Sequence, residues 1–530
     1  MLRCNKGGAK FPQGERTRHS AQPTLPRDIC YPARFSSRPT SRRSPTLMYA
    51  GIDFGTSNCS IGKWENDAPQ LVPLENGSTR LPSAIYTSRT HVAVGRIDED
   101  ELALRVSRAT ALNRQQSREA GSVRELTAAE IENIERGLMR RELEERAQRK
   151  SESETIRSAL YADSEIFFGE AAIERHAEDP LSGYFMKSPK SFLGADLETP
   201  QLELFSEIVT RMLSHIKTTA EGEGEADDQI TSIVLGRPVN FHGNKADGNA
   251  QALNLMERAA ISAGFEQIEF LMEPVAASLD YERQLQQDTI VLVLDIGGGT
   301  TDCSMVEIGP TFRGRSDRLS SVLGYAGNRV GGIDLDIKLA FERLMPLFGR
   351  GTSQRSGLPL PNSLFWKPIA VNDVNLQAEF ASRQEAASLH SFLRAAVDKQ
   401  KFSRLITLQG ERLSHRLSRS AEMAKIALTD QARVDVSLDY VEMDLGIDIS
   451  RDQLRDAIEK ELKLFISLMK EAEAQAGVRP DVVYVTGGSA RSPVVESWIR
   501  THYPGVDIVV GDAFGSVTSG LTTWAHQIFR

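Results

Sequence analysis

The chain reads as an α/β protein built by doubling one unit, with a glycine turn suited to phosphate in each copy. Two observations predict this. Residues 289–304, TIVLVLDIGGGTTDCS, open with an apolar run whose length and β-branched content match a buried strand. Asp295 and Ile296 end the run, then come Gly297, Gly298 and Gly299, then Thr300, Thr301 and Asp302. Glycines let backbone N–H groups come close to a phosphate, threonine hydroxyls add donors, and an acid at the strand end beside phosphates commonly holds hydrated Mg²⁺. Alone, this stretch would also suit a hairpin turn in any β protein. The second observation is a repeat: in residues 50–60, AGIDFGTSNCS, Gly55, Thr56, Ser57, Asn58, Cys59 and Ser60 match Gly299 to Ser304, and Asp53 precedes its turn as Asp295 does. A duplicated unit with one loop per copy would grip the phosphates of one nucleotide from both sides of a cleft.

Bulk properties bound the rest. A length of 530 residues suggests more than one domain, and 40% hydrophobic with 25% charged residues is ordinary for a globular chain. No apolar run is long enough to predict a membrane span. The formal charge is −9, yet the first 47 residues carry an excess of Lys and Arg, so the body is strongly acidic. That argues against nucleic acid as the main partner. The 4 cysteines form no CxxC pair, so neither a zinc site nor a disulfide framework is expected, and a reducing cytoplasm suits them. Cys59 and Cys303, just past the two loops, could face each other; small buried hydrophobes are the commoner role.

Along the chain, residues 1–47 are Arg-, Ser- and Pro-rich and aperiodic, which predicts disorder: a transit peptide, or an artefact of an upstream start, since Met48 stands directly before the first strand. Residues 49–62 give strand, loop, strand; 71–74 and 84–87 read as short strands. From about 98 to 157 the chain is highly charged and helical, with a capping-box pattern at Thr127 to Glu130 before Ile131, Ile134, Leu138 and Met139, which predicts an exposed helical insertion. IFFGEAA at 166–172 leads into a helix, followed by Lys187, Ser188, Pro189 and Lys190, where either lysine could aim an ammonium at a phosphate or simply lie on the surface. Helices are predicted at 203–219 and 250–264, an acidic loop at 221–228, and strands at 230–235 and 268–272. Glu273, before Pro274, could orient a water or a metal, or cap its helix. Beyond the second loop, 331–336 opens a helix, 376–428 is mostly helical, short strands fill 430–450, and one long helix spans about 451–476. The strand 482–485 runs into Gly487, Gly488, Ser489, Ala490 and Arg491, the shape of a nucleoside-binding corner. Gly515 and Gly520 fall on a last helix, where small residues permit close approach.

These pieces, in this order, resemble the actin/hexokinase/heat-shock ATPase superfamily, and most closely the nucleotide-binding domain of DnaK-type 70-kDa heat-shock chaperones. The motifs are Gly51 to Asn58, Leu81-Pro82-Ser83, Gly169 to Ala172, the lysine segment ending in Phe192-Leu193-Gly194, Glu273 to Ala277, Asp295 to Asp302, Gly331 to Asp336, Gly487 to Pro493 and Gly515 to Gly520. The resemblance covers roughly 48–530, the insertion apart. It implies a two-lobed actin-like ATPase fold, each lobe a ribonuclease-H-like core with helical and small-subdomain insertions, split as 48–285 and 286–530. It implies ATP or ADP with Mg²⁺ in the cleft, and slow hydrolysis in a conformational switch. Asp53 and Asp295 would hold hydrated Mg²⁺, with Asp302 beside them. Gly55, Thr56, Ser57, Asn58, Gly297, Gly298, Gly299 and Thr300 would take the phosphates. Lys190, counted back from Gly194, matches the catalytic lysine, with Lys187 a rival because the Pro189 region is two residues longer than the family's. Glu273 and Asp302 would order the attacking water. Gly331, Glu422, Lys425, Gly487, Gly488, Ser489 and Arg491 would hold the adenosine.

Two departures qualify the match. Ile426 stands where the family usually has Arg after the adenine-helix lysine. The chain also stops where DnaK-type chaperones continue into a peptide-binding domain, so it looks like the short YegD-type relatives lacking one. Protein clients or co-chaperones, a monomeric state, and no nucleic-acid or membrane partner are what this implies. A sugar-type small-molecule kinase and an actin-like filament ATPase of the same superfamily are the alternatives.

Overall fold

The structure, a computed structural model, describes residues 48–530 apart from 89–97, 121–126, 129–130, 133–134, 140–155, 158–159, 161–164, 179–182, 223–228, 242–246, 316–317 and 513–514. The basic segment 1–47, Glu130 of the capping-box pattern, Ile134, and the acidic loop from 223 onward therefore lie outside the described residues.

Two sheets share one topology. Strands β1 (Met48–Phe54), β2 (Asn58–Glu65), β3 (Ala68–Leu71), β4 (Ile230–Arg237) and β5 (Gln267–Met272) lie side by side in the order β3-β2-β1-β4-β5. Strands β6 (Thr289–Ile296), β7 (Thr301–Ile308), β8 (Val322–Asn328), β9 (Val482–Thr486) and β10 (Asp507–Val510) repeat it as β8-β7-β6-β9-β10. In each sheet the first three strands are antiparallel and the last two join in parallel. Parallel neighbours need a crossover, and helices Gly248–Ser262 and Pro493–His502 supply the last one in each sheet. The first sheet gains a short extra strand, Leu81–Pro82, against β2.

The apolar run of β6 is explained by burial on both faces. Leu292, Leu294 and Ile296 pack into the core under helix Glu459–Ala476, while Val291 and Val293 face a central core shared with β4, helix Glu273–Glu282 and helix Ser516–Phe529. The two halves exchange their closing helices. Helix Glu273–Glu282 follows β5 but packs on β6 and β7; helix Ser516–Phe529 follows β10 but packs on β1, β2 and β4. They cross at Gly520, where a Cβ would collide with the carbonyl of Ala276.

Smaller elements flank the cleft. Strand Ala84–Ser88 lies between Ile166–Phe168 and Gly183–Lys187, with helix Gly169–Glu178 against it. On the other half, helices Arg383–Ala395, Lys399–Gly410 and Ser414–Asp430 pack with the hairpin Arg433–Ser437/Gly446–Ser450.

Several expectations are corrected. The strand placed at 71–74 is Ala68–Leu71, because Asn66 and Asp67 (φ 52° and 58°) form a two-residue hairpin turn that starts it earlier. The long helix at 451–476 is two, Arg451–Ala457 and Glu459–Ala476; Ile458 leaves helical geometry between them and is buried. Gly515 lies before the last helix, not on it. In the 98–157 insertion, helix Glu99–Ala120 is present, but Leu102, Ile131 and Met139 are buried, so it is not wholly exposed. Cys59 and Cys303 are buried in separate cores, and burial pushes both thiols well above their usual range, Cys59 to about 12. Among the described residues, no helix is long and apolar enough to cross a membrane.

Candidate functional site

Each glycine loop is the turn of an antiparallel hairpin, β1–β2 or β6–β7, so the hairpin reading and the phosphate-loop reading describe the same segments. The hairpins place Asp53 opposite Ser60, and Asp295 opposite Asp302. Each loop is propped from its own half. Ser83 donates its amide to the Ser57 carbonyl at 2.9 Å and its hydroxyl to the Gly55 carbonyl at 2.7 Å. Gly332 and Ile333, opening helix Gly332–Leu339, donate to the carbonyls of Gly297 and Gly298, both at 2.8 Å.

The two turns meet face to face. A Cβ on Gly298 would lie 2.9 Å from the Ser57 amide nitrogen and collide with its hydroxyl; one on Gly299 would reach the Thr56 methyl at 3.0 Å. Beside this junction opens a cavity of about 680 Å³. Asp53, Gly55, Thr56, Ser57, Asn58, Lys190, Glu273, Asp295, Gly297, Gly298 and Thr300 line one part, and Glu422, Lys425, Gly487, Gly488, Ser489 and Arg491 another. Gly299, Gly331 and Asp302 are not on that lining. Gly331 instead packs against Gly297 and Gly298 and caps its helix, donating to Asp334 at 2.8 Å. Asp302 is buried behind the wall, where it accepts the Val239 amide at 2.9 Å.

The electrostatics separate the two lysines. Ser188 adopts a left-handed conformation (φ 59°, ψ 49°), and the chain then turns through Pro189–Phe192. Lys190, 4% exposed, donates to Glu273 at 2.6 Å among the loop carboxylates. Lys187 donates instead to Glu422 at 3.0 Å, on helix Ser414–Asp430. Glu273 is the first residue of its helix, paired with Lys190 rather than capping. Burial alone would lower the Lys190 ammonium, but Glu273 and Asp53 outweigh it and hold the group above its usual range. Burial, the Glu273 charge and only partial relief from Lys190 push Asp53 up to about 7; burial with Glu273, Asp302 and Asp53 pushes Asp295 well up. Burial and Glu273 likewise raise Asp302 to about 8, against hydrogen bonds from Val239 and Thr300. At the other end, burial opposes charge on Glu422, but Lys187, Arg419 and Lys425 prevail and hold it at about 2.

Acids thus outnumber cations at the loop junction, a surplus that a divalent cation would relieve. Asp53 and Asp295 face the cavity and fit that role through coordinated water; among the described residues no cluster of three or more His, Cys, Asp or Glu is arranged to hold a metal directly.

Other lining residues escape sequence reasoning. Glu75 accepts the amides of Glu170 at 2.9 Å and Ala171 at 3.1 Å, seating helix Gly169–Glu178. No local pattern announces a contact so distant along the chain. Arg419, three residues before Glu422 on the same helix, bonds it at 3.2 Å, and that spacing is legible in the sequence. Ile426 and Met423 lie half-exposed on the lining, so the position where the family carries Arg is apolar here.

Two sheets of one topology, with facing glycine turns over a shared cleft, define an actin-like ATPase fold. The family model described as Hsp70 protein matches residues 195–350. Chaperone protein DnaK of Carsonella ruddii (strain PV) is 24% identical over 466 residues, 86% of this chain and 58% of that protein. Both likenesses point to the Hsp70 family, the first over residues 195–350 and the second over most of the chain. Its match spans somewhat over half the length of that relative.

Proposed function

We propose that this chain is a chaperone-type ATPase that binds ATP between its two glycine turns and hydrolyses it to ADP, the two halves being residues 48–285 and 286–530. The observation that supports it most is the meeting of Ser57 with Gly298 beside the buried Lys190–Glu273 pair. Backbone amides of both turns, with the hydroxyls of Thr56, Ser57 and Thr300, offer donors to phosphate oxygens from two sides. Lys190 keeps its proton and stabilises negative charge that grows on the terminal phosphate as its bond to the leaving oxygen breaks. Glu273, held by Lys190, orients a water for in-line attack. Mg²⁺ held through water by Asp53 and Asp295 would neutralise charge on the phosphates. Glu422, Lys425, Ser489 and Arg491 would hold the nucleoside. A preference of ATP for the closed cleft would make the site a switch, and the DnaK likeness suggests protein partners for it. Unpaired, buried Cys59 and Cys303 suit a reducing compartment.

The test is ATP binding and phosphate release by the full chain, beside Lys190→Ala and Thr300→Ala. Wild type should release phosphate without any acceptor, and Lys190→Ala should lose turnover by about 10²–10³-fold. A wild-type chain that neither binds nor hydrolyses ATP overturns the reading; turnover that requires an added hydroxyl acceptor moves it to a small-molecule kinase.

A further inference from the structure

Ion pairs between the halves bridge the cleft. Lys187 on strand Gly183–Lys187 pairs with Glu422, and Arg419 reaches Glu170 at 3.5 Å. Beside these pairs lies an aromatic cluster. The His176 ring, on helix Gly169–Glu178, stacks on Phe185 with centroids 4.4 Å apart and planes 4° from parallel. His415, on helix Ser414–Asp430 of the other half, meets Phe185 edge-on at 5.1 Å and His176 at 5.6 Å. Nδ1 of His176 is buried with no hydrogen-bond partner.

The charged groups that act on this pair are cations. Arg412, in the turn before helix Ser414–Asp430, acts on His176; Lys187 and His176 act on His415. The acids on the packed elements are engaged elsewhere or face solvent: Glu170 with Arg419, Glu422 with Lys187 and Arg419, Glu178 with Arg175, and Glu174 exposed. Neutral imidazoles can stack here as flat apolar rings. A charged one loses hydration and meets positive neighbours, and a cation–π contact with Phe185 offsets only part of that.

We propose that His176, Phe185 and His415 form a pH-sensitive clasp across the cleft, shut at neutral pH and released when either imidazole is protonated, which speeds the escape of whatever the cleft holds. That the occupant is a nucleotide rests on the function proposed above; the clasp itself does not. Burial with the Arg412 charge holds His176 at about 4, and burial with His176 and Lys187 holds His415 at about 3. An opened clasp returns each ring toward about 6.5, so acidification to about pH 5.5 favours opening by roughly tenfold per histidine.

Two measurements on the full chain test this. The first is the dissociation rate of a fluorescent ADP analogue between pH 7.5 and 5.5 for wild type, His176→Phe and His415→Phe. The second needs no nucleotide: the distance between spin labels at Glu174→Cys and Glu411→Cys, with Cys4 and Cys30 replaced by Ser. Acid should lengthen the distance and raise the rate about tenfold or more in wild type. Each Phe variant should show a smaller response, and either one alone keeps the test if the other folds poorly. A distance and rate that ignore pH in wild type, or an undiminished response in both variants, overturn the clasp. A label distance that opens with acid in a chain that binds no nucleotide supports the clasp while refuting the nucleotide reading.

Discussion

At the scale of single residues, Lys190 and Glu273 carry the most consequence. Both are buried, and removing one partner of such a pair leaves an uncompensated charge. Lys190→Ala should therefore lower stability by about 3–5 kcal/mol near pH 8 as well as turnover, which denaturant unfolding would read. Lys187→Ala removes a partly buried lysine whose partner is Glu422 rather than a loop carboxylate; it should leave the hydrolysis step largely intact and shorten nucleotide residence, measured by stopped-flow release. The sequence leaves the choice between these lysines open because their directions depend on the left-handed Ser188, and nothing in S-P-K forces that conformation. Gly298 is the sharper test of the loops. Gly298→Ala puts a methyl into the Ser57 hydroxyl, so the turns must part, and ATP affinity measured by calorimetry should fall at least tenfold while the fold persists.

At the scale of elements, the crossing of helix Glu273–Glu282 with helix Ser516–Phe529 invites two measurements. Gly520→Ala drives a methyl into the Ala276 carbonyl, and overpacking of this kind costs about 1–3 kcal/mol, a fall in Tm of several degrees by calorimetry. Asp280 lies in the same crossing, where burial and the nearby Asp512 outweigh help from Arg283 and Ser516 and raise its carboxyl to about 6. A raised acid means the folded state binds the extra proton. Its stabilising effect is full below about pH 4, falls as pH climbs to about 6, and is flat above. Asp280→Asn should remove that component, so the difference in Tm between pH 5 and pH 7 should be smaller in the variant. Element types were legible wherever the apolar period was clear, as in β6 and helix Gly248–Ser262. The Asn66-Asp67 turn and the break at Ile458 were not, because one is set by backbone conformation at two polar residues and the other by the pull of the core on a single side chain.

At the scale of the whole molecule, the repeated glycine turn announced a duplication, and the matching strand orders of the two sheets display it. What no local pattern announced was which sheet each closing helix covers. Each helix carries enough apolar side chains to cover either sheet, and only tertiary packing decides between them. The part of the site written in contiguous motifs was legible for the same reason the duplication was. Glu75, Arg419 and the stacked His176 and His415 owe their positions to contacts between distant segments.

The exchange of closing helices also bears on how the protein comes into being. The first sheet has one face covered by residues 516–529, so during synthesis it waits, incompletely sheltered, until those residues have left the ribosome. Neither half can mature ahead of the other, and splitting the gene between β5 and β6 would yield two fragments that can reach their native form only by finding each other.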